Sequence, residues 1–117
     1  MDGPAGYVRE KRTTSFTLLK DFSMSTLNVI SALGNRHRLK LIEIISGQDN
    51  EGITVEAATI LLGIKQPTVS HHLSELKDVG LVTCQSSSYY HIYRVDTTKL
   101  KELVSFLREI ILNCEKD

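Results

Sequence analysis

Neither sign of charge is in excess in this chain, where fourteen lysines and arginines are matched by fourteen aspartates and glutamates over 117 residues. Nucleic-acid-binding domains are usually clearly basic, so the overall balance offers nothing to an acidic partner and only local clusters can. Cysteine is scarce. Cys84 and Cys114 stand far apart and outside any CxxC spacing, which excludes a disulfide framework and a zinc ribbon and leaves two reduced thiols. Long apolar runs are missing as well. Stretches such as Ile60 to Gly63 and Ile110 to Leu112 fall far short of the ~20 residues that cross a bilayer, and the N-terminus has no apolar core like that of a signal peptide. The chain is therefore expected in the cytoplasm, with no membrane partner. There is no internal repeat or extended low-complexity tract. No nucleophile–base arrangement, glycine-rich phosphate loop or carboxylate pair rises above chance, so neither an enzyme nor a cofactor is expected.

What is present suits one small domain, since 117 residues with 41% hydrophobic composition can build one core but not two. Residues 1–15 mix Gly, Pro and charges without apolar periodicity and read as a flexible arm, leaving residues 16–117 for the domain. The charge is unevenly spread. Arg9, Lys11, Arg12 and Lys20 mark the N-terminal stretch, Arg36, Arg38 and Lys40 cluster later, and Asp49, Glu51 and Glu56 gather around one loop.

From Phe16 to Leu33 the residues Phe16, Leu19, Phe22, Leu27, Ile30 and Leu33 recur at mostly three- and four-residue spacing, which predicts an amphipathic helix ending at Gly34. Asn35 can cap a second helix running through Ser46, with Leu39, Ile42 and Ile45 as its core stripe. After a polar loop from Gly47 to Gly52, Thr54 can cap a short third helix carrying Val55, Ala58 and Leu62, and Gly63 supplies the permissive backbone where it stops. Pro67 suits the first turn of a fourth helix with Val69, Leu73 and Leu76 on one side, closed by Gly80. Two helices separated by only a few residues outline a helix-turn-helix. Leu81–Gln85 and Tyr89–Val95, rich in β-branched and aromatic residues and split by three serines, read as a hairpin, the wing. Thr97 or Thr98 opens a last helix with Leu100, Leu103, Val104, Leu107, Ile111 and Cys114 at the 3.6 period. The expected fold is mainly α (α+β), a winged helix-turn-helix of order α1-α2-α3-α4-β1-β2-α5.

A major groove accommodates one α-helix, whose N-terminal half reaches base edges. Turning Val69, Leu73 and Leu76 inward sends Thr68, Ser70, His71 and Ser74 outward or to the flanks, and these are the candidate base readers. An ordinary solvated helix face is the alternative for those four alone.

The run Ile64-Lys65-Gln66-Pro67-Thr68-Val69-Ser70-His71-His72-Leu73, with Leu76 and Val79-Gly80-Leu81-Val82, resembles the recognition helix and wing entry of the arsenic-repressor (ArsR/SmtB-like) family. Upstream, Ala32-Leu33-Gly34-Asn35 with Arg38-Leu39-Lys40-Leu41-Ile42 is similar to the family's second-helix signature, and Tyr93-Arg94-Val95-Asp96 to the end of its wing. The match covers roughly Ala32 to Asp96. It implies a sequence-specific DNA-binding regulator, a homodimeric repressor on double-stranded operator DNA, for which Gln66, Thr68, Ser70, His71 and Ser74 of the fourth helix and the cations Lys65, Arg94, Arg36 and Arg38 are the candidate contacts. It also implies a dimer built by the first and last helices, with Phe16, Leu19, Leu103, Leu107 and Ile111 at the interface; a purely intramolecular core is the alternative. The alternative function is a winged-helix module that binds another protein and has little DNA affinity.

Departures from the family pattern carry their own implications. Where its wing often holds arginines and a glycine, this chain has Thr83, Gln85, Ser86, Ser87, Ser88 and Tyr89, so phosphate contacts should be fewer and salt dependence flatter. Arg36 and His37 replace the usual Pro-Thr pair and oppose the helix dipole unless an anion such as phosphate lies near. Lys65 occupies the place of a small capping residue, and Ile60 a place that is usually polar. The family's paired cysteines are absent from Thr54-Val55-Glu56-Ala57-Ala58, and the last helix lacks its Asp-x-His…His-x-x-Glu arrangement, so no metal site is expected. His71 and His72 are adjacent and point about 100° apart on a helix, which favours a structural role for His72, packing at the helix flank or donating a hydrogen bond, over ligation. His37 and His91 are likewise expected to be solvated or structural. Cys84 and Cys114 are candidate thiol sensors, with buried hydrophobe as the alternative role for each.

Overall fold

The structure, a computed structural model, describes residues 24–116. The expected arm and the candidate interface residues Phe16 and Leu19 lie outside the described residues. Helix α1 is described over residues 24–33 and gives way at Gly34, whose N–H donates back to the Ile30 carbonyl at 2.8 Å. Then come α2 (Arg36–Ser46), β1 (Ile53–Thr54), α3 (Val55–Leu62), α4 (Gln66–Asp78), β2 (Val82–Ser86), β3 (His91–Val95) and α5 (Thr97–Glu115).

The caps explain the boundaries. Asn35 Oδ1 accepts the backbone N–H groups of His37 and Arg38, and Thr54 Oγ1 accepts that of Ala57, each satisfying donors that a helix start leaves orphaned. Gly63 ends α3 in the left-handed region at φ 78°, a conformation that a side chain would strain. At the end of α4 the Leu81 N–H donates to the Leu76 carbonyl at 2.9 Å and the Gly80 N–H to that of Lys77 at 3.0 Å, with Gly80 at φ 84°. This paired closure turns the chain sharply into β2 and brings Leu81 to the core beside Leu76.

The sheet has three strands, where a two-stranded hairpin was expected. β3 is central, flanked by β2 and, on its other side, by the two-residue β1 through Ile53↔Tyr93 and Thr54↔Ile92. The element order is therefore α1-α2-β1-α3-α4-β2-β3-α5, with β1 inserted before α3. A Cβ on Gly52 would stand 2.6 Å from the Tyr93 carbonyl oxygen, so the approach of β1 to β3 requires glycine there. The hairpin connection is one residue longer than its sequence suggests and lies further along the chain: Ser86 belongs to β2, Tyr89 and Tyr90 belong to the turn, and the Ser87 N–H donates to the Tyr90 carbonyl at 2.9 Å.

The core joins Val29 and Ala32 of α1, Leu41, Ile42 and Ile45 of α2, Ile53, Ala58, the α4 trio Val69, Leu73 and Leu76, and Leu81 and Val82. Leu39, expected in the α2 stripe, is 53% exposed, and Leu41 takes its place. Two successive three-residue steps rotate Leu39 about 120° from Ile45, whereas Leu41 stays within about 40° of it. A similar reversal holds in α1. The residues that bury are Thr26, Val29 and Ala32, while Leu27 and Ile30 of the anticipated stripe face away from the chain's own core. The α5 helix packs lightly: Leu100 and Leu103 are half-buried against the core, and Lys99 Nζ donates to Ser25 Oγ of α1 at 2.9 Å across Gly80.

Truncation of Leu41 and of Leu39 should separate the two faces of α2. Leu41→Ala is expected to cost about 2–5 kcal/mol of stability and Leu39→Ala less than about 1 kcal/mol, read from urea unfolding midpoints at equal m-value.

Candidate nucleic-acid interface

Burial of Val69, Leu73 and Leu76, all 0% exposed, fixes which side of α4 meets water. Gln66, Thr68, Ser70, His71 and Ser74 are all exposed, so five of the expected contact residues lie outside the core on one helix. Lys65, exposed at the N-cap, makes no side-chain capping bond. His71 Nε2 lies 3.8 Å from Glu75 Oε2 one turn later, both side chains largely in solvent. Hydroxyl, amide and imidazole groups dominate the N-terminal two turns, the chemistry that pairs with base edges.

The start of α2 abuts this helix. Arg36 is exposed, and the His37 ring centroid lies 5.7 Å from that of His72, which in turn is 6.1 Å from His71. Arg38, expected at a DNA phosphate, is turned into the fold: its Nε donates to the Ala32 carbonyl at 2.7 Å and its Nη1 to His72 Nδ1 at 3.4 Å. A guanidinium only donates, so His72 accepts at Nδ1 and carries its proton on Nε2. The structural role expected for His72 is thus that of an acceptor, and its side chain is buried. Burial, followed by the charges of Arg38, His37 and His71, lowers its pKa below the usual 6.5, with Glu75 opposing.

In the wing, the guanidinium expected to meet phosphate is tethered: Arg94 Nε donates to the Asn50 carbonyl at 2.8 Å and Nη1 to Gln85 Oε1 at 2.7 Å. Tyr89 at the tip is 93% exposed. Cys84 is half-buried, with its Sγ 3.7 Å from Ser86 Oγ, which is 2.8 Å from His91 Nδ1. Burial and the neighbouring Cys84 thiol push the Tyr93 phenol above its ordinary range. Cys114 is exposed near the end of α5. Among the described residues, no three His, Cys, Asp or Glu side chains converge as a metal site would require, and no helix is long and apolar enough to cross a membrane.

Two contacts escaped the sequence. The Arg38–His72 bond spans 34 positions and the Arg94–Asn50 bond 44, and no periodicity encodes a pairing at such separation. The adjacency of Arg36, His37 and Arg38 to a helix start was visible, but not which of the three turns inward.

A helix-turn-helix domain model matches residues 33–85. A putative arsenical resistance operon repressor of Halobacterium salinarum is 33% identical over 81 residues, 68% of this chain and 67% of that protein. An ArsR-like transcriptional regulator from Rhodococcus sp. superposes with a TM-score of 0.70 at 17% identity, over 82% of this chain and 88% of that one. A homodimeric winged helix-turn-helix DNA-binding domain from Mycobacterium bovis, solved by NMR, gives 0.63 at 20% identity over 97% and 94%. The last two likenesses concern the fold.

The lowered pKa of His72 makes stability depend on pH. Below 6.5 the unfolded chain takes up a proton that the folded imidazole resists, so this contribution is complete above 6.5 and is lost as the pH falls toward the folded value. Urea unfolding from about pH 7.5 down to about pH 5 should show stability falling with acid, and His72→Asn should shallow that fall. An equally steep profile in the variant would assign the effect to another group.

Proposed function

The chain belongs to the ArsR family of winged helix-turn-helix DNA-binding transcription regulators, and from that membership we propose that it is a cytoplasmic homodimeric repressor that lays α4 in the major groove of an operator. The observation that carries the reading is the division of α4 into a fully buried apolar stripe and an exposed polar face. Ser70 and His71 read base edges, Gln66, Thr68 and Ser74 extend that surface, and Lys65 and Arg36 meet phosphates on either side. Arg38 is left out of this surface and Arg94 contributes less to phosphate binding, because Nε and Nη1 of each are engaged within the fold. No regulatory metal is required in this reading.

Dimerisation is supported by apolar side chains that the chain leaves in water. Met24, Leu27 and Ile30 on α1 and Val104, Leu107, Ile110, Ile111 and Leu112 on α5 are exposed, and α5 has no buried residue along its 19. Covering such a surface is favourable by about 25 cal/mol per Å². With Leu103, the residues Leu107 and Ile111 then form the α5 part of the interface. A two-fold dimer presents two α4 helices to half-sites about 34–36 Å apart.

Two measurements test this. In fluorescence anisotropy with a duplex selected by the protein from a random library and its scrambled counterpart, Ser70→Ala or His71→Ala should weaken selected-duplex binding by roughly 1–3 kcal/mol and scrambled binding much less. Lys65→Ala should weaken both and lower the logarithmic salt slope by about one. If the parent protein shows no salt-dependent affinity for any duplex, the polar face of α4 belongs to a protein partner instead. In sedimentation at micromolar concentration the parent should run as a dimer and Leu107→Glu as a folded monomer; a monomeric parent refutes the assembly.

A further inference from the structure

On α4, His72 is the buried polar side chain, set between His71 on the exposed face and Leu73 in the core. Its Nδ1 accepts from Arg38 Nη1, and the same guanidinium holds the Ala32 carbonyl through Nε at 2.7 Å. One side chain therefore ties the last turn of α1, the first turn of α2 and the middle of α4. The groups facing the imidazole are Arg38 and His37 from α2, and His71 and Glu75 from α4 itself.

The apolar stripe fixes which side of α4 faces inward, but apolar attraction is non-directional and leaves the last few degrees of rotation to a directional contact. Side-chain ends lie roughly 5–6 Å from a helix axis, so a rotation of about 10° moves them about 1 Å. That displacement exceeds the tolerance of a base-edge hydrogen bond. The 3.4 Å contact from Arg38 to His72 is a directional bond at the flank of the helix, and such a bond constrains rotation where apolar packing alone does not. We infer that Arg38 and His72 form a positioning pair for base readout, setting the azimuth at which Ser70 and His71 meet DNA without touching it themselves. The inference rests on the reading of α4 as the DNA-reading helix.

The test uses the selected and scrambled duplexes on the full chain. His72→Leu and Arg38→Met should each lower the selected-to-scrambled affinity ratio about tenfold, the scale of one hydrogen bond, and His72→Leu, which removes no cation, should leave scrambled binding and salt slope unchanged. The double variant should be no worse than Arg38→Met alone, because that single variant already lacks the bond to His72. His72→Asn, which keeps an acceptor oxygen near the position of Nδ1, should retain the ratio to within about threefold. Independently of any variant, ring ¹⁵N shifts of the parent should show His72 protonated on Nε2. An unchanged ratio in folded His72→Leu and Arg38→Met, alongside a loss in Ser70→Ala and His71→Ala, overturns the positioning pair and leaves the DNA reading intact. A proton on Nδ1 of His72 overturns the pair even if those variants fail to fold. A parent that does not distinguish the two duplexes removes the premise itself.

Discussion

A helix can offer a polar face to a partner only if its other face is anchored, and the complete burial of Val69, Leu73 and Leu76 is the anchor on which this molecule is arranged. Leu81 is brought to that anchor by the closure at Gly80, from which the chain enters β2 and the wing. Ile53 and Val82 carry the sheet into the same core. The left-handed Gly63 separates α3 from α4 by only a few residues, and Ala58 is then buried in the same core. Removing volume from the trio would loosen the wing and the turn along with the helix, because all three pack on one cluster.

The parts legible in the sequence are those governed by local rules. Asn35, Thr54 and Gly63 act through neighbours within four residues, and their roles as caps follow from side-chain chemistry and backbone freedom alone. The α4 stripe was readable because its four- and three-residue steps stay in phase with the helix. Leu39 illustrates the limit: repeated three-residue spacing drifts off the buried face, and only the packing of α2 shows that Leu41 is the inward residue. The strand β1 was invisible because two residues have no period, and its existence depends on Gly52 admitting the β3 backbone. The inward turn of Arg38 depends on α1 and α4 together, which neither local pattern nor family resemblance encodes.

Charge balance looks different once the structure is considered. Arg38 and Arg94 are counted as cations in the sequence, yet both serve as multivalent hydrogen-bond donors that cross-link distant segments. Arg36 and Lys65 remain outward, at the starts of two different helices. A formally neutral chain can thus keep cations beside one helix face while using guanidinium groups as internal struts.

The nineteen-residue α5 without a buried side chain has a consequence for protein turnover. In a lone chain its local unfolding costs little free energy, because few apolar contacts are lost when it frays. An opened helix is a substrate for proteases, and whatever covers the helix shields it from them. With the proposed dimer as that cover, the unassembled fraction grows as concentration falls, so the cellular abundance of such a chain falls more steeply than its rate of synthesis when synthesis slows.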